Sequence, residues 1–207
     1  MIVTIDGPAA SGKGTLARRI AAHLGLPHLD TGLLYRAIAA QLLDAKKRLD
    51  DSAAAAAIAG TISLDALDAN RLSGAALGEA ASRVAAIPEV RAVLLSLQQD
   101  FARRSGGAVL DGRDTGTAIA PQAAAKIFVT ARPEVRAWRR HKELTERGEM
   151  LAYDTVLAEI RKRDARDSGR AIAPLKAAPD AVLLDTTDLD IEAAFRQVLS
   201  IVEAARA

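Results

Sequence analysis

Apolar residues along this chain follow two spacings. Short runs of adjacent apolar residues predict buried strands, and longer stretches with an apolar residue every three or four positions predict helices. Four such runs predict strands, near residues 2–5, 108–110, 126–129 and 181–184, and a short extended piece at 28–30 is expected to add a fifth. Helical stretches separate them, so the pattern predicts an α/β fold whose parallel five-stranded sheet is covered by helices on both faces.

Residues 33–104 are mainly helical and leave room for a substrate-binding subdomain, with one short strand expected at 62–64. Thr31 is placed to cap the helix that carries Tyr35 and Arg36. A helix cap and a surface arginine would explain Thr31 and Arg36, but a hydroxyl and a guanidinium near a helix start are equally suited to bind a phosphate.

A glycine-rich segment stands between the first strand and the first helix: Gly7-Pro8-Ala9-Ala10-Ser11-Gly12-Lys13-Gly14-Thr15. Glycines let backbone N–H groups point inward around an anion, and the helix start adds partial positive charge. Lys13 supplies a full charge for the β and γ phosphates of a nucleotide. The spacing predicts a phosphate-binding loop, although Gly14 stands where a hydroxyl residue is usual and the hydroxyl comes at Thr15.

Acids and arginines follow at two later places. Asp111, Arg113 and Asp114 come directly after the strand at 108–110, at the sheet edge where ligands bind, and such an acid can hold Mg²⁺. Arg163, Arg166, Asp167 and Arg170 fall close to one face of a helix. That face is either a solvated surface or a grip for a phosphate and sugar hydroxyls.

Composition narrows the classes of protein to which this chain can belong. Of 207 residues, 50% are hydrophobic and only 3% aromatic, so alanine and leucine fill most of the core. Without cysteine, disulfides and thiolate metal sites are excluded. We see no membrane span and no signal peptide, and expect a cytoplasmic protein. A net charge of +2 does not favour nucleic acid.

Taken together, the motifs resemble those of bacterial cytidylate kinases, a family of P-loop nucleoside monophosphate kinases. The matching blocks span nearly the whole chain in the family's order: Ile5-Asp6-Gly7-Pro8 with Ser11-Gly12-Lys13-Gly14-Thr15; Leu29-Asp30-Thr31-Gly32 with Tyr35-Arg36; Ala81-Ser82-Arg83-Val84-Ala85 with Pro88-Glu89-Val90-Arg91; Asp111-Gly112-Arg113-Asp114-Thr115-Gly116-Thr117; and Arg163-Asp164-Ala165-Arg166-Asp167-Ser168-Gly169-Arg170-Ala171-Ile172-Ala173-Pro174-Leu175.

The resemblance implies a single P-loop kinase domain over 1–207, with a monophosphate-binding subdomain within 33–104 and a lid at about 136–170. It implies Mg²⁺-dependent transfer of the γ-phosphate of ATP to CMP or dCMP. On the donor side, the resemblance implies that Gly7 to Thr15 bind the ATP phosphates, that Thr15 and Asp111 bind the metal and, by analogy with nucleotide kinases generally, that Arg136 and Arg140 contact ATP. On the acceptor side, it implies that the phosphate is bound by Arg36, Arg113, Arg163 and Arg170, and the sugar by Asp167 with Arg163. Cytosine recognition is implied for Ser82, Arg91 and Asp114.

Alternatives remain at this stage. The stretch between residues 61 and 80 is shorter than the strand-bearing insert usual in the family, which leaves the choice among CMP, dCMP and UMP open. A kinase for UMP or AMP is the nearest rival. A P-loop ATPase that binds nucleic acid is suggested only by the basic isoelectric point. No feature of the sequence indicates a subunit interface, so we expect a monomer that acts on small nucleotides.

Overall fold

A five-stranded sheet is the centre of the computed structural model, which describes residues 1–206. Its strands are β1 (Ile2–Asp6), β2 (His28–Asp30), β3 (Ala108–Gly112), β4 (Ala125–Thr130) and β5 (Val182–Asp185). They lie in the order β2-β3-β1-β4-β5. β1 pairs in parallel with β3 and β4, and β4 pairs in parallel with β5. The prediction of an α/β fold with a central five-stranded sheet is confirmed.

Helices connect and flank the strands: α1 (Lys13–Leu24), α2 (Thr31–Asp44), α3 (Ser52–Ala59), α4 (Ala75–Val84), α5 (Pro88–Ala102), α6 (Pro133–Glu146), α7 (Tyr153–Ser168) and α8 (Ile191–Ala204). A short 3₁₀ helix covers Leu64–Ala66, and a π-helical turn covers Thr115–Ile119. Over residues 1–206, no helix combines the length and the apolar character needed to cross a membrane.

The chain divides into two compact units, each with its own core. The first unit contains residues 1–29 and the chain from residue 99 onward, and the second contains Asp30–Gln98. The core of the first unit joins the inner strands to α1 and α8, through side chains that include Val3, Ile5, Leu16, Ile20, Val109, Ile127 and Val198. The core of the second unit joins α2, α3, α4 and α5, through Leu34, Ile38, Leu42, Val84 and Leu94 with small alanines among them.

The cap of α2 differs from the prediction by one residue. Asp30, not Thr31, is the N-cap, and its side chain accepts a hydrogen bond from the backbone N–H of Gly32 at 2.9 Å. Thr31 is the first helical residue and is buried. Both residues are good caps, so the sequence alone does not separate them, whereas the short strand β2 holds Asp30 in the extended backbone that a cap requires.

The strand expected at 62–64 is absent, and this prediction is wrong. The N–H groups of Thr61 and Ile62 donate to the carbonyls of Ile58 and Ala59, which continues the end of α3 as a turn. The 3₁₀ helix Leu64–Ala66 then follows. Local bonds of this kind use the backbone groups that a sheet ladder would need.

Candidate active site

The glycine-rich loop leaves the carboxyl end of β1 and enters α1 at Lys13. The Gly7 N–H donates to the carbonyl of Gly112 at 3.3 Å. A Cβ at Gly7 would collide with the carbonyl oxygen of Val129, and its φ of 154° is one that other residues rarely adopt. Because β3 and β4 flank β1, this close approach sets the loop directly on the edge of the sheet.

Lys13 stands at the start of α1 with its side chain turned back along the loop. Its Nζ lies 3.5 Å from the carbonyl oxygen of Pro8. The N-cap is Gly12, in the left-handed region at a φ of 91°. An ammonium group beside a helix N-terminus concentrates positive charge at one point, which is the arrangement that binds nucleotide phosphates.

Asp111 is the penultimate residue of β3, and its two carboxylate oxygens have different surroundings. Oδ1 lies 2.7 Å from Nε2 of His28, and the Asp111 side chain is 2% exposed. Oδ2 lies 3.5 Å from the position that a Cβ on Gly14 would take, an ordinary van der Waals separation, so this oxygen is next to the start of α1. Carboxylate and hydroxyl oxygens are ligands that Mg²⁺ prefers, so the chemistry of Asp111 and Thr15 fits this ion.

Asp6 fixes the segment that follows Asp114. Its carboxylate accepts hydrogen bonds from the N–H groups of Thr115 at 2.9 Å and Gly116 at 2.8 Å. Burial raises the pKa of Asp6 to about 6, against the lowering effect of the two backbone donors. At pH 7 the side chain is therefore mainly ionised and able to accept both bonds. Asp114 is itself buried, at 5% exposure.

Three of the predicted arginines meet at Asp167. Arg113 Nε and Arg170 Nη2 each lie 2.9 Å from a carboxylate oxygen of Asp167, and Arg163 Nε lies 3.8 Å away. Asp167 is 2% exposed. This arginine cluster, defined as Arg113, Arg163, Arg170 and Asp167, joins the end of β3 to α7 and carries a net positive charge.

The pKa of Asp167 shows which influence wins inside the cluster. Burial alone would raise it, but the charges of Arg113, Arg163 and Arg170 and the hydrogen bond from Arg113 lower the pKa to about 2. Asp167 is consequently ionised throughout the neutral range. One negative charge against three positive charges leaves a site whose electrostatics favour a dianion.

The arginines of α6 have separate surroundings. Arg136 is buried and donates to both carboxylate oxygens of Asp164, at 3.1 and 2.6 Å, and to the carbonyls of Ala131 and Ala9. Its bond to Ala9 reaches the glycine-rich loop itself. Arg140 pairs with Glu143 at 2.8 Å and lines the cavity described next. In this conformation Arg136 therefore braces the loop, whereas Arg140 faces a space that a ligand can enter.

Arg139, which the sequence did not single out, also supports the loop. Its guanidinium donates to Thr186, at 2.6 Å to the carbonyl and 3.1 Å to the hydroxyl. The hydroxyl of Thr186 in turn donates to the carbonyl of Ser11 at 3.1 Å. Burial lowers the pKa of Arg139. Arg136 thus holds a loop carbonyl directly, and Arg139 supports the loop through Thr186.

A cavity of about 1000 Å³ adjoins the loop inside the first unit. Its lining includes the loop from Ala10 to Thr15, Arg18 of α1, the α6 residues Trp138, Arg139, Arg140 and Lys142, and Leu189, Asp190 and Ile191 at the start of α8. The volume suits a nucleotide-sized ligand.

The second unit contains the other predicted binding residues. Arg36 donates to the carbonyls of Leu72 at 3.2 Å and Gly74 at 3.5 Å. Arg91 is 8% exposed, donates to the carbonyl of Ala85 at 3.3 Å and lies over the Tyr35 ring at 5.8 Å. Ser82 is buried in α4 at 2% exposure. Ser82 and Arg91 are therefore buried, whereas Arg36 is partly exposed.

Sequence reasoning missed His28, Asp6 and Asp164. Each acts through a partner distant in the chain: His28 on Asp111, Asp6 on the turn after Asp114, and Asp164 on Arg136. For His28 a signal was present, because it begins β2, the strand beside the one that contains Asp111. Strand order is needed to use such a signal, and the sequence does not state strand order.

Comparisons with known proteins agree with this geometry. A family model described as cytidylate kinase matches residues 3–204. A cytidylate kinase of Xanthobacter autotrophicus is 65% identical over 207 residues, which cover 100% of this chain and 99% of the relative. A cytidylate kinase of Methylocella silvestris is 62% identical over 205 residues, which cover 99% of this chain and 95% of the relative.

The fold has a solved counterpart in TT1252 from Thermus thermophilus. That structure aligns with a TM-score of 0.52 and 21% identity, and the alignment covers 100% of this chain and 98% of the other. At this identity the likeness supports the fold alone.

Proposed function

The chain belongs to the cytidylate kinase family, and from that membership we propose how its residues divide the reaction among them. The activity is transfer of the γ-phosphate of ATP to CMP or dCMP, which gives CDP or dCDP and ADP. The roles of individual residues, the metal and the assembly state are the proposal.

On the donor side, the loop from Gly7 to Thr15 (Gly7, Pro8, Ala9, Ala10, Ser11, Gly12, Lys13, Gly14 and Thr15) holds the phosphates of ATP. The close packing of Gly7 on β4 and the braces from Arg136 and Thr186 support a loop that is rigid before ATP arrives. Lys13 neutralises charge that builds up on the β and γ phosphates. Arg140 of α6 also contacts ATP. Arg136 assists catalysis by holding the loop in place through the carbonyl of Ala9.

On the acceptor side, the arginine cluster is the observation that carries the proposal. Arg113, Arg163 and Arg170 surround one buried carboxylate, an arrangement that is costly unless an anionic ligand completes it. We assign these three side chains, with Arg36 and Thr31 of the second unit, to the phosphate of CMP. Asp167, with Arg163, binds the sugar hydroxyls.

For phosphoryl transfer, the protein needs mainly to neutralise the charge of the two phosphates and to align them. A phosphate monoester is already an oxyanion, so no general base is required to activate the acceptor. Lys13, Arg113 and the α6 arginine Arg140 offset the negative charge shared by the two phosphates, and in-line alignment lowers the entropic part of the barrier.

Cytosine recognition is assigned to Asp114 in the first unit and to Ser82 and Arg91 in the second. The amino group of cytosine needs an acceptor, and its N3 and O2 need donors. Uracil presents a carbonyl where cytosine presents the amine, so a carboxylate at that point disfavours it. The tie from Asp6 to Thr115 and Gly116 supports a fixed position for Asp114.

We expect Asp114→Ala to raise the KM for CMP by about 10- to 100-fold and to reduce the preference for CMP over UMP. The reason is the loss of the only acceptor assigned to the amino group. Steady-state kinetics with CMP, dCMP and UMP measure it, and the exposed Asp65→Ala variant is the control. An equal loss toward all acceptors, seen in kcat with KM unchanged, would contradict the assignment.

The experiment that tests the proposed function is a coupled assay of ADP release with ATP and Mg²⁺, run in parallel with CMP, dCMP, UMP, AMP and no acceptor. Turnover restricted to CMP and dCMP supports the assigned cytosine contacts. Comparable turnover with UMP would support the kinase activity but would contradict the role of Asp114 in recognising cytosine. Release of ADP without an acceptor would overturn the acceptor assignments and favour an ATPase.

Thr15 and Asp111 would hold Mg²⁺, which would supply positive charge to offset the negative charge of the phosphates. Over residues 1–206 no group of three or more His, Asp or Glu side chains is placed to hold a metal. Mg²⁺ characteristically uses one or two carboxylates together with water and substrate phosphates, so one carboxylate and one hydroxyl suffice here.

We propose that His28 orients Asp111. Removal of the imidazole should therefore weaken Mg²⁺ binding without unfolding the protein. For His28→Leu we expect the Mg²⁺ concentration that gives half-maximal rate to rise about tenfold. His28→Gln keeps an N–H donor and should recover most of the loss. The exposed His23→Leu variant on α1 is the control, and an unchanged Mg²⁺ dependence in His28→Leu would remove this role.

We further propose that the protein works as a monomer in the cytoplasm, with no nucleic acid or membrane partner. The net charge of +2 supplies little attraction for a polyanion. The helical unit Asp30–Gln98 acts as the monophosphate-binding subdomain, and the segment at about 136–170 acts as the lid.

A further inference from the structure

Trp138 is an exposed indole on the cavity next to the phosphate-binding loop. It is the single tryptophan of the chain, and it is 58% exposed. It lines the same cavity as the loop from Ala10 to Thr15. We propose that Trp138 stacks on the adenine base of ATP, an inference that rests on the proposed binding of the ATP phosphates by the loop.

The shape of the cavity leads to this conclusion. If the loop takes the phosphates, the base must lie toward the remaining walls, which α6 and the start of α8 provide. Large apolar side chains on those walls are Trp138, Leu189 and Ile191. An aromatic base buries its flat faces on such side chains, and tryptophan offers the largest flat surface among them.

Electrostatics also favour a base at this position. The Nζ of Lys142, one helical turn from Trp138, lies 5.8 Å from the indole centroid in a cation–π contact. That contact lies over one face of the ring. The other face is the one on which we expect a base to stack.

The exposed area itself needs an explanation. Ile191, 41% exposed, lies on this cavity as well, so two of the larger exposed apolar side chains meet at one place. A bound base removes part of both from water and gains the hydrophobic contribution of that area. The alternative occupant, a protein partner on the outer side of α6, is an outcome that the test below separates.

The single tryptophan makes binding directly visible. ATP, added without an acceptor, should change the intrinsic fluorescence of the protein, with a binding curve that inorganic tripolyphosphate displaces. Tripolyphosphate carries the phosphates but no base, so we expect it to compete while changing the fluorescence little. Equal fluorescence changes with ATP and tripolyphosphate would show that no base contacts the indole.

Kinetics give the second measurement. Trp138→Ala should raise the KM for ATP about tenfold, with kcat and the KM for CMP nearly unchanged, because the base contact is the same in ground and transition state. Trp138→Phe keeps an aromatic face and should recover most of the affinity. Leu183→Ala, which removes a large exposed side chain away from the cavity, is the matched control and should have no effect.

The outcomes separate this inference from the proposed function. An ATP KM within twofold of wild type in Trp138→Ala, while tripolyphosphate still competes with ATP, would overturn the role of Trp138 and leave the loop assignment standing; that result would favour a partner surface. Failure of tripolyphosphate to compete would instead count against the loop as the phosphate site. An inhibition constant for tripolyphosphate that is equal in wild type and Trp138→Ala is the result we expect.

Discussion

Lys13→Ala should lower kcat by about 10³-fold, equivalent to about 4 kcal/mol of transition-state stabilisation, while the protein remains folded. Lys13 is the one full positive charge within the phosphate-binding loop, and its Nζ lies 3.5 Å from the carbonyl of Pro8, folded back along that loop. The N–H groups of the loop and the helix start remain in the variant. They bind phosphate in the ground state, so kcat should fall far more than the KM for ATP rises.

The measurement is steady-state turnover with saturating CMP, together with thermal unfolding. Lys47→Ala removes an exposed lysine of the second unit and serves as the control, because it changes the net charge by the same amount. CMP and dCMP should lose rate equally, since Lys13 acts on the donor. A kcat within about threefold of wild type in a folded Lys13→Ala protein would contradict the role.

The fold was predictable from the sequence where local pattern decides the structure. The sequences of Ile2–Asp6, Ala108–Gly112 and Ala125–Thr130 are rich in apolar residues, and helical stretches separate them. This combination is typical of strands buried in a parallel sheet. The prediction failed at 62–64, where three suitable residues had no strand to pair with and completed a turn instead. Strand propensity is therefore informative only when a partner is available.

The site was predictable in its residue types but less so in its contacts. Motif spacing led to Lys13, Asp111 and the arginine cluster. It did not indicate that Arg136 would pair with Asp164 and donate a hydrogen bond to the carbonyl of Ala9. That contact depends on how α6 packs against α7 and the loop, and tertiary packing of this kind leaves no periodic signal in the sequence. Arg136 and Arg140, one turn apart, looked equivalent for that reason.

Asp167→Asn should lower the free energy of unfolding at pH 7 by about 3 kcal/mol, because it leaves the guanidinium groups of Arg113, Arg163 and Arg170 without their shared carboxylate. The folded-state pKa of Asp167, about 2, lies below the ordinary value of 3.8. A carboxyl group with a lowered pKa stabilises the fold above its ordinary pKa, and this contribution disappears as the pH falls from about 4 toward 2. Wild type should lose stability over that interval, and Asp167→Asn should lose less.

Inorganic phosphate distinguishes an anion site from a purely structural cluster. The variant retains three arginines that have lost the negative charge of Asp167, so phosphate should raise its melting temperature more than that of wild type. Chemical unfolding at several pH values and thermal unfolding with added phosphate provide the data. Asp50→Asn, which removes the partner of Arg48 in a solvent-exposed pair, is the control and should respond little, because water screens that pair. If phosphate stabilised wild type and Asp167→Asn equally, the charge balance at Asp167 would not govern anion binding, and the assignment of Arg113, Arg163 and Arg170 to the acceptor phosphate would lose its electrostatic basis.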